Sequence, residues 1–211
     1  MNAFAEVWTF PLASMAIIAL YLLQLAWRPE RRARHIHADL RAAWFDEISA
    51  QPGTEVLAVQ TLRNSVMTAT LIASSAALAL MAAISQAAPS LHEAFGAGVP
   101  GPRATPRIVL ELTLMALLCA TVLLNMLAVR NYTHAGFVLG MPVNAPARQR
   151  WAGAGRLHLR SAGLLYGWGL RCMLLVAPIL VSLVHAGAGT VSALLLTGAL
   201  WRLEGSGAVS Q

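Results

Sequence analysis

Three short stretches bring hydrogen-bonding and charged side chains to the ends of long apolar runs. In AVQTLRNSVM, Ala58 to Met67, Gln60, Arg63 and Asn64 stand at the start of an apolar helix, with Thr68 one turn on from Asn64. RNYTHAGF, Arg130 to Phe137, places Arg130, Tyr132 and His134 where a second run ends, and GLRCMLLVAP places Arg171 where a third begins. A guanidinium at the mouth of a bilayer span is costly without partners or water. Three of them at one depth need an anionic counter-charge, and the Arg fork fits phosphate oxygens bidentately. The expected chemistry is therefore retention of an anion or a lipid headgroup. Gln60, Arg63, Asn64, Thr68, Arg130, Tyr132, His134 and Arg171 are the ligand-binding or pathway residues. Gln60, Asn64, His134 and Arg171 are expected close together. No catalytic residue, metal ligand or cofactor is assigned.

Each of these residues also has a purely structural reading. Gln60, Asn64 and Thr68 suit helix–helix hydrogen bonds, worth ~0.6 kcal/mol on average in membranes. Thr61, Asn64, Thr68, Ser75, Ala79 and Ala82 form a small or polar stripe on one helix face, which suits close helix contact or, less often, water lining. Arg63, Arg130 and Arg171 can snorkel to lipid phosphate, and His134 can be a satisfied structural histidine.

Other constellations are weaker. His35-Ile36-His37 offers two imidazoles at i, i+2, with no Cys or third His nearby, a poor zinc or copper site. His185 is the only histidine well inside an apolar run, which argues against paired haem ligands. Glu111 follows Arg107 by four residues, the spacing of a simple helix ion pair. Cys119 and Cys172 both fall in apolar surroundings and read as small core residues. No nucleophile-elbow, metalloprotease, phosphate-loop or dinucleotide fingerprint is present.

The elements that must position these residues are membrane helices. Hydrophobic residues make up 57% of the 211-residue chain and charged residues only 11%, against roughly 25% in soluble domains. Mean hydropathy is +0.62. All 15 basic residues are arginine, giving a net charge of +6, but they sit in short connectors between apolar runs. That is a topology signal and not a nucleic-acid surface. Four spans are expected, each near the ~20 residues that cross a bilayer: Trp8 to Trp27, Ser65 to Ile84, Ile108 to Val129, and a long fourth from Leu170 to Trp201. Pro178 and Ala186-Gly187-Ala188-Gly189 bend or tilt the fourth; two shorter segments are the alternative. The expected fold is an all-α polytopic membrane bundle of four transmembrane helices plus one or two interfacial helices, forming a single domain over residues 1–211.

The connector after the first span holds Arg28, Arg31, Arg32, Arg34, Arg41 and Arg63. The one after the third holds Arg130, Arg148, Arg150, Arg156 and Arg160. The second connector has only Arg103 and Arg107, and the C-terminal tail only Arg202. The positive-inside rule then predicts both rich connectors in the cytoplasm and both termini outside. The first span reads as an anchor, since no basic residue precedes it and Arg-Pro-Glu-Arg-Arg follows it. Ala87 to Thr105 reads as an irregular external loop. Asp39 to Ala50 reads as an interfacial helix with Leu40, Trp44 and Ile48 on its apolar face, ended by Pro52-Gly53. Thr54 is placed to cap the next helix, with Glu55 in its first turn. Ala147 to Tyr166 is a candidate second interfacial helix.

AVQTLRNSVM, RNYTHAGF and the GLR at Gly169, with Pro178 seven residues beyond Arg171, resemble the pattern of the domain-of-unknown-function family five-nine-nine, uncharacterised four-helix membrane proteins of bacteria and plants. The resemblance covers most of the chain and implies four spans and a bacterial inner (plasma) membrane but no activity. Where family members carry aromatic residues after the GLR and a Trp and Gly-Pro beyond the first proline, this chain has Cys172, Met173, Ser182 and His185 in that stretch. The leading functional expectation is an oligomeric channel or permease-like protein with a cytoplasmic-side anion or lipid-headgroup site. Its partners would be membrane lipids, an anion and further copies of itself, with no nucleic acid. A non-catalytic accessory or scaffold protein is the alternative, and a membrane enzyme using His134 as base comes third.

Overall fold

The computed structural model describes residues 2–27, 33–96 and 105–206. Arg28, Arg31, Arg32 and Arg103, used above for topology, lie outside the described residues, as do the side chains of Arg34 and His35. Among the described residues all regular structure is helical: α1 Asn2–Trp27, α2 Ala33–Ala50, α3 Glu55–Phe95, α4 Pro106–Leu139, α5 Pro146–Val184 and α6 Ala186–Ser206. All but α2 are long and apolar enough to cross a membrane, five helices where four were expected.

The difference lies in the fourth run. It is not one bent helix, because the chain breaks at His185, whose extended backbone (φ −149°, ψ 110°) closes α5. His185 Nδ1 then accepts the amide of Ala188 at 3.2 Å, capping α6. α6 folds back antiparallel to α5, so that Leu200 and Leu203 lie beside Gly163 to Leu174. Hydroxyls secure the reversal: Ser182 Oγ lies 3.3 Å from Ser14 Oγ, which lies 3.0 Å from Thr190 Oγ1. The expectation of both termini at one end rested on a single fourth span. With α6 reversed, the start of α1 lies at the His185 turn and the end of α6 lies at the opposite, arginine-rich end.

Two other connectors also differ. Residues 87–95 continue α3 where an irregular loop was expected. Only one ladder donor is lost at Pro89, while Ala87 and Ala94 are buried within the bundle and Ser90 Oγ bonds back to the Ala87 carbonyl at 3.2 Å. Residues 147–166 form the first half of α5 and not a separate interfacial helix. The glycines there make room: a Cβ on Gly155 would lie 2.8 Å from Phe45 Cζ, and one on Gly163 would lie 2.3 Å from Arg41 Nη1. α2 therefore docks along α5 through Ala38, Ala42 and Phe45, and Leu40 stays exposed. Thr54 makes no side-chain cap on α3. Its hydroxyl donates to the carbonyls of Ile48 and Gln51 and closes α2 instead, beside Gly53 at φ +86°.

α4 and α5 form the central pair, with α3 on α4, α2 on α5, and α1 against α6. One apolar cluster joins Ile18, Leu25, Leu114, Leu118, Leu175 and Ile179. A second, at the arginine-rich end, joins Phe45, Leu62, Tyr132, Leu139 and Leu159. α3, with 41 residues, is ~60 Å long, about twice the hydrocarbon thickness. It meets α4 through Ala69, Ala73 and Ala76, whose small side chains let the helices approach closely.

Candidate functional site

At the arginine-rich end, α2, α5 and α6 enclose a cleft of about 280 Å³. Its polar rim is His37, Arg41, Tyr166 and Arg171, and its apolar wall includes Leu174, Leu200 and Leu203. Both guanidiniums rest on the glycine face of α5. Arg41 lies against Gly163, where any Cβ would collide with it, and donates from Nη1 to the His37 carbonyl at 3.2 Å. Arg171 Nη1 donates to the Gly167 carbonyl at 2.7 Å, and a Cβ on Gly167 would crowd that nitrogen at 3.1 Å. Gly163 and Gly167 are one turn apart, ~6 Å along the axis. On α2, Asp46 pairs with Arg156 at 2.8 Å and Asp39 with Arg160 at 3.3 Å. Two permanent positive charges above a leucine wall suit a phosphate that carries an apolar tail.

The eight residues singled out from the sequence divide among three places. Arg171 lines the cleft. Tyr132 is buried in the adjoining core. His134 is on the α4–α5 seam, its ring 5.1 Å from that of His158. His158 Nδ1 lies 2.8 Å from Asn131 Oδ1, and the Asn131 amide nitrogen is already committed to the Leu127 carbonyl. The amide oxygen therefore accepts, and His158 carries its proton on Nδ1. Gln60, Arg63, Asn64 and Thr68 are exposed along the outer face of α3, and Arg130 is exposed on α4. The expected convergence of Gln60 and Asn64 with His134 and Arg171 does not occur within one protomer. α3 turns its alanine face to α4, and that choice rotates the polar stripe outward.

Several polar positions were not singled out from the sequence. Arg41 and Tyr166 are the largest omission, and the Gly163-x-x-x-Gly167 spacing was the signal that a second element comes close to α5. Asn125 is fully buried and donates to the Thr121 carbonyl at 2.8 Å, with no partner for Oδ1 among the described residues. Its amide packs on Gly169, the first residue of GLR, where a Cβ would lie 2.3 Å away. Arg148 is buried beneath the α4–α5 connector and donates to the carbonyls of Leu139 and Met141. Glu55 Oε1 lies 3.9 Å from Arg148 and accepts the Val143 amide at 3.3 Å, tying the start of α3 to the same connector.

No curated protein matches the chain, and no solved structure does. One family model matches residues 7–208, nearly the whole length, and it is described as a protein of unknown function, DUF599. With its AVQTLRN, RNYTHAGF and GLR segments inside that match, the chain belongs to this family.

Proposed function

We propose that this protein crosses a bacterial plasma membrane five times and holds the phosphate of an anionic lipid headgroup in the cleft of Arg41 and Arg171. The observation that carries this reading is the seating of two guanidiniums on successive glycine turns above an apolar wall. In a bilayer such a cleft meets lipid phosphate at headgroup depth, where basic pockets between helices bind acidic lipids. Arginine asymmetry supports placing this end in the cytoplasm. The N-terminus is then external and the C-terminus cytoplasmic.

The test is retention of dioleoyl-phosphatidylglycerol by the purified full-length protein during detergent washing, read by native mass spectrometry. Arg41→Gln and Arg171→Gln should each reduce retention by about tenfold, the factor that ~1.4 kcal/mol represents. Arg63→Gln and Arg130→Gln should leave it unchanged. Equal losses from all four variants would leave only general surface charge and overturn the assignment.

A second reading, an oligomeric channel or permease-like assembly, is supported by the outward polar face of α3. Gln60, Asn64 and Thr68 there would be solvated by a second copy or by water instead of lipid tails. Disulfide formation between copies carrying Asn64→Cys in the membrane, with Cys119 and Cys172 replaced, supports this reading. Failure to cross-link under oxidation, with no anion flux in proteoliposomes, would leave the accessory or scaffold role.

A further inference from the structure

At the other end of the bundle a second crevice, about 500 Å³, opens between α3, α4 and α5. This lies within the ~300–1,000 Å³ range of small-molecule sites. Its deep walls are alkyl: Leu114, Leu118, Val176, Leu180 and Leu183. Its mouth is polar and belongs equally to a neighbouring crevice of about 490 Å³, because Gln86 and Arg107 line both. The neighbouring crevice adds Ser90, Glu93 and Thr105. An apolar slot and a polar chamber thus meet at one arginine.

That arginine is held in place by a buried acid. Glu111 is only 7% exposed, and both its oxygens are occupied, by Arg107 Nε at 2.9 Å and by Ser90 Oγ at 2.8 Å. An ionisable side chain kept inside an apolar helix pair is a mark of function, since burial is costly. The Arg107 side chain is 74% exposed, and its two terminal nitrogens make no bond among the described residues. Glu93 is exposed across the polar chamber, likewise without a bonded partner among the described residues. The chamber therefore offers one cationic arm and one separate carboxylate, a complement to a headgroup carrying both signs. A purely anionic headgroup would meet Glu93 unpaired, and a purely cationic one would leave the Arg107 fork unused.

We propose that the two crevices together hold one zwitterionic phospholipid with a primary ammonium head. An acyl chain lies along Leu114, Leu118 and Leu180, the phosphate sits on the terminal nitrogens of Arg107, and the ammonium faces Glu93. This site is separate from the Arg41–Arg171 cleft and takes a different headgroup.

The full-length protein, incubated with equimolar dioleoyl-phosphatidylethanolamine and dioleoyl-phosphatidylglycerol and washed in detergent, is read by native mass spectrometry. Wild type should retain the ethanolamine lipid at this site, alongside the glycerol lipid held in the Arg41–Arg171 cleft. Leu180→Trp, at a half-exposed position where the indole fills the slot without entering the core, should lower that retention about tenfold. Glu93→Gln should remove the preference for ethanolamine while some lipid remains. Arg41→Gln should leave ethanolamine retention at the wild-type level while lowering that of the glycerol lipid. The proposal is overturned if wild type retains no ethanolamine lipid, if Leu180→Trp or Glu93→Gln behaves as wild type, or if Arg41→Gln loses the ethanolamine lipid as Leu180→Trp does.

Discussion

Glycine, the residue with no side chain, decides where the polar groups of this protein stand. Gly163 and Gly169 share a helix, less than two turns apart, yet substitution should act differently at each. A Cβ on Gly163 meets only the far end of Arg41, a flexible chain that can swing away. Gly163→Ala should therefore leave thermal stability nearly unchanged while abolishing the contribution of Arg41 to lipid retention. A Cβ on Gly169 meets Asn125, which is fully buried and cannot withdraw. Gly169→Ala should destabilise by ~1–3 kcal/mol, the usual cost of overpacking. Adding Asn125→Ala should recover much of that loss, giving a clearly non-additive double mutant in a thermal-unfolding series. Of the residues singled out from the sequence, Arg171 lines the cleft, and it stands out at the end of an apolar run. Arg41 was not legible, because its place depends on a glycine 122 positions later in the chain.

The helices α1, α3 and α4 could be read from continuous apolar runs of about the length that crosses a bilayer. The separation of α5 from α6 could not be read the same way, since Ala186 to Gly189 is apolar enough to continue a span. What decides the break is space: a Cβ on Gly189 would lie 1.9 Å from Ser182 Oγ and 2.5 Å from Ser182 Cα. The backbone atom cannot swing aside, so Gly189→Ala should destabilise by ~1–3 kcal/mol in thermal unfolding. Gly153→Ala and Gly198→Ala, with nothing within 4 Å, should be neutral or stabilising by ~0.5–1 kcal/mol through helix propensity. The α4–α5 connector depends on a charge in the same way. Arg148→Ala strips a donor from the carbonyls of Leu139 and Met141 and should cost ~1–3 kcal/mol. It should also loosen the start of α3, seen as faster hydrogen exchange around Val143.

For the whole molecule, the hairpin of α5 and α6 separates the chain ends, and cysteine labelling tests the resulting topology. In a background lacking Cys119 and Cys172, Ala3→Cys should be labelled by an impermeant maleimide on intact cells. Ser206→Cys should react only after permeabilisation. Reaction of both from outside would restore a four-crossing arrangement and remove the cleft from the cytoplasmic face. The same architecture bears on cooperativity. Along α4 and α5 the two apolar clusters are set apart by a polar layer at Thr121 and Asn125. In the proposed topology one cluster would be sheathed by lipid or detergent, whereas the helices around the other, with Phe45 and the docked α2, would face aqueous denaturant. Two such units need not melt together, because local stability follows local burial and solvent access. With Trp44 kept as the only tryptophan, urea should produce an early fluorescence transition while helical circular dichroism stays largely intact. The protein would then pass through a state whose membrane half is folded and whose arginine-rich half is open, a two-stage melt set by which solvent each core faces.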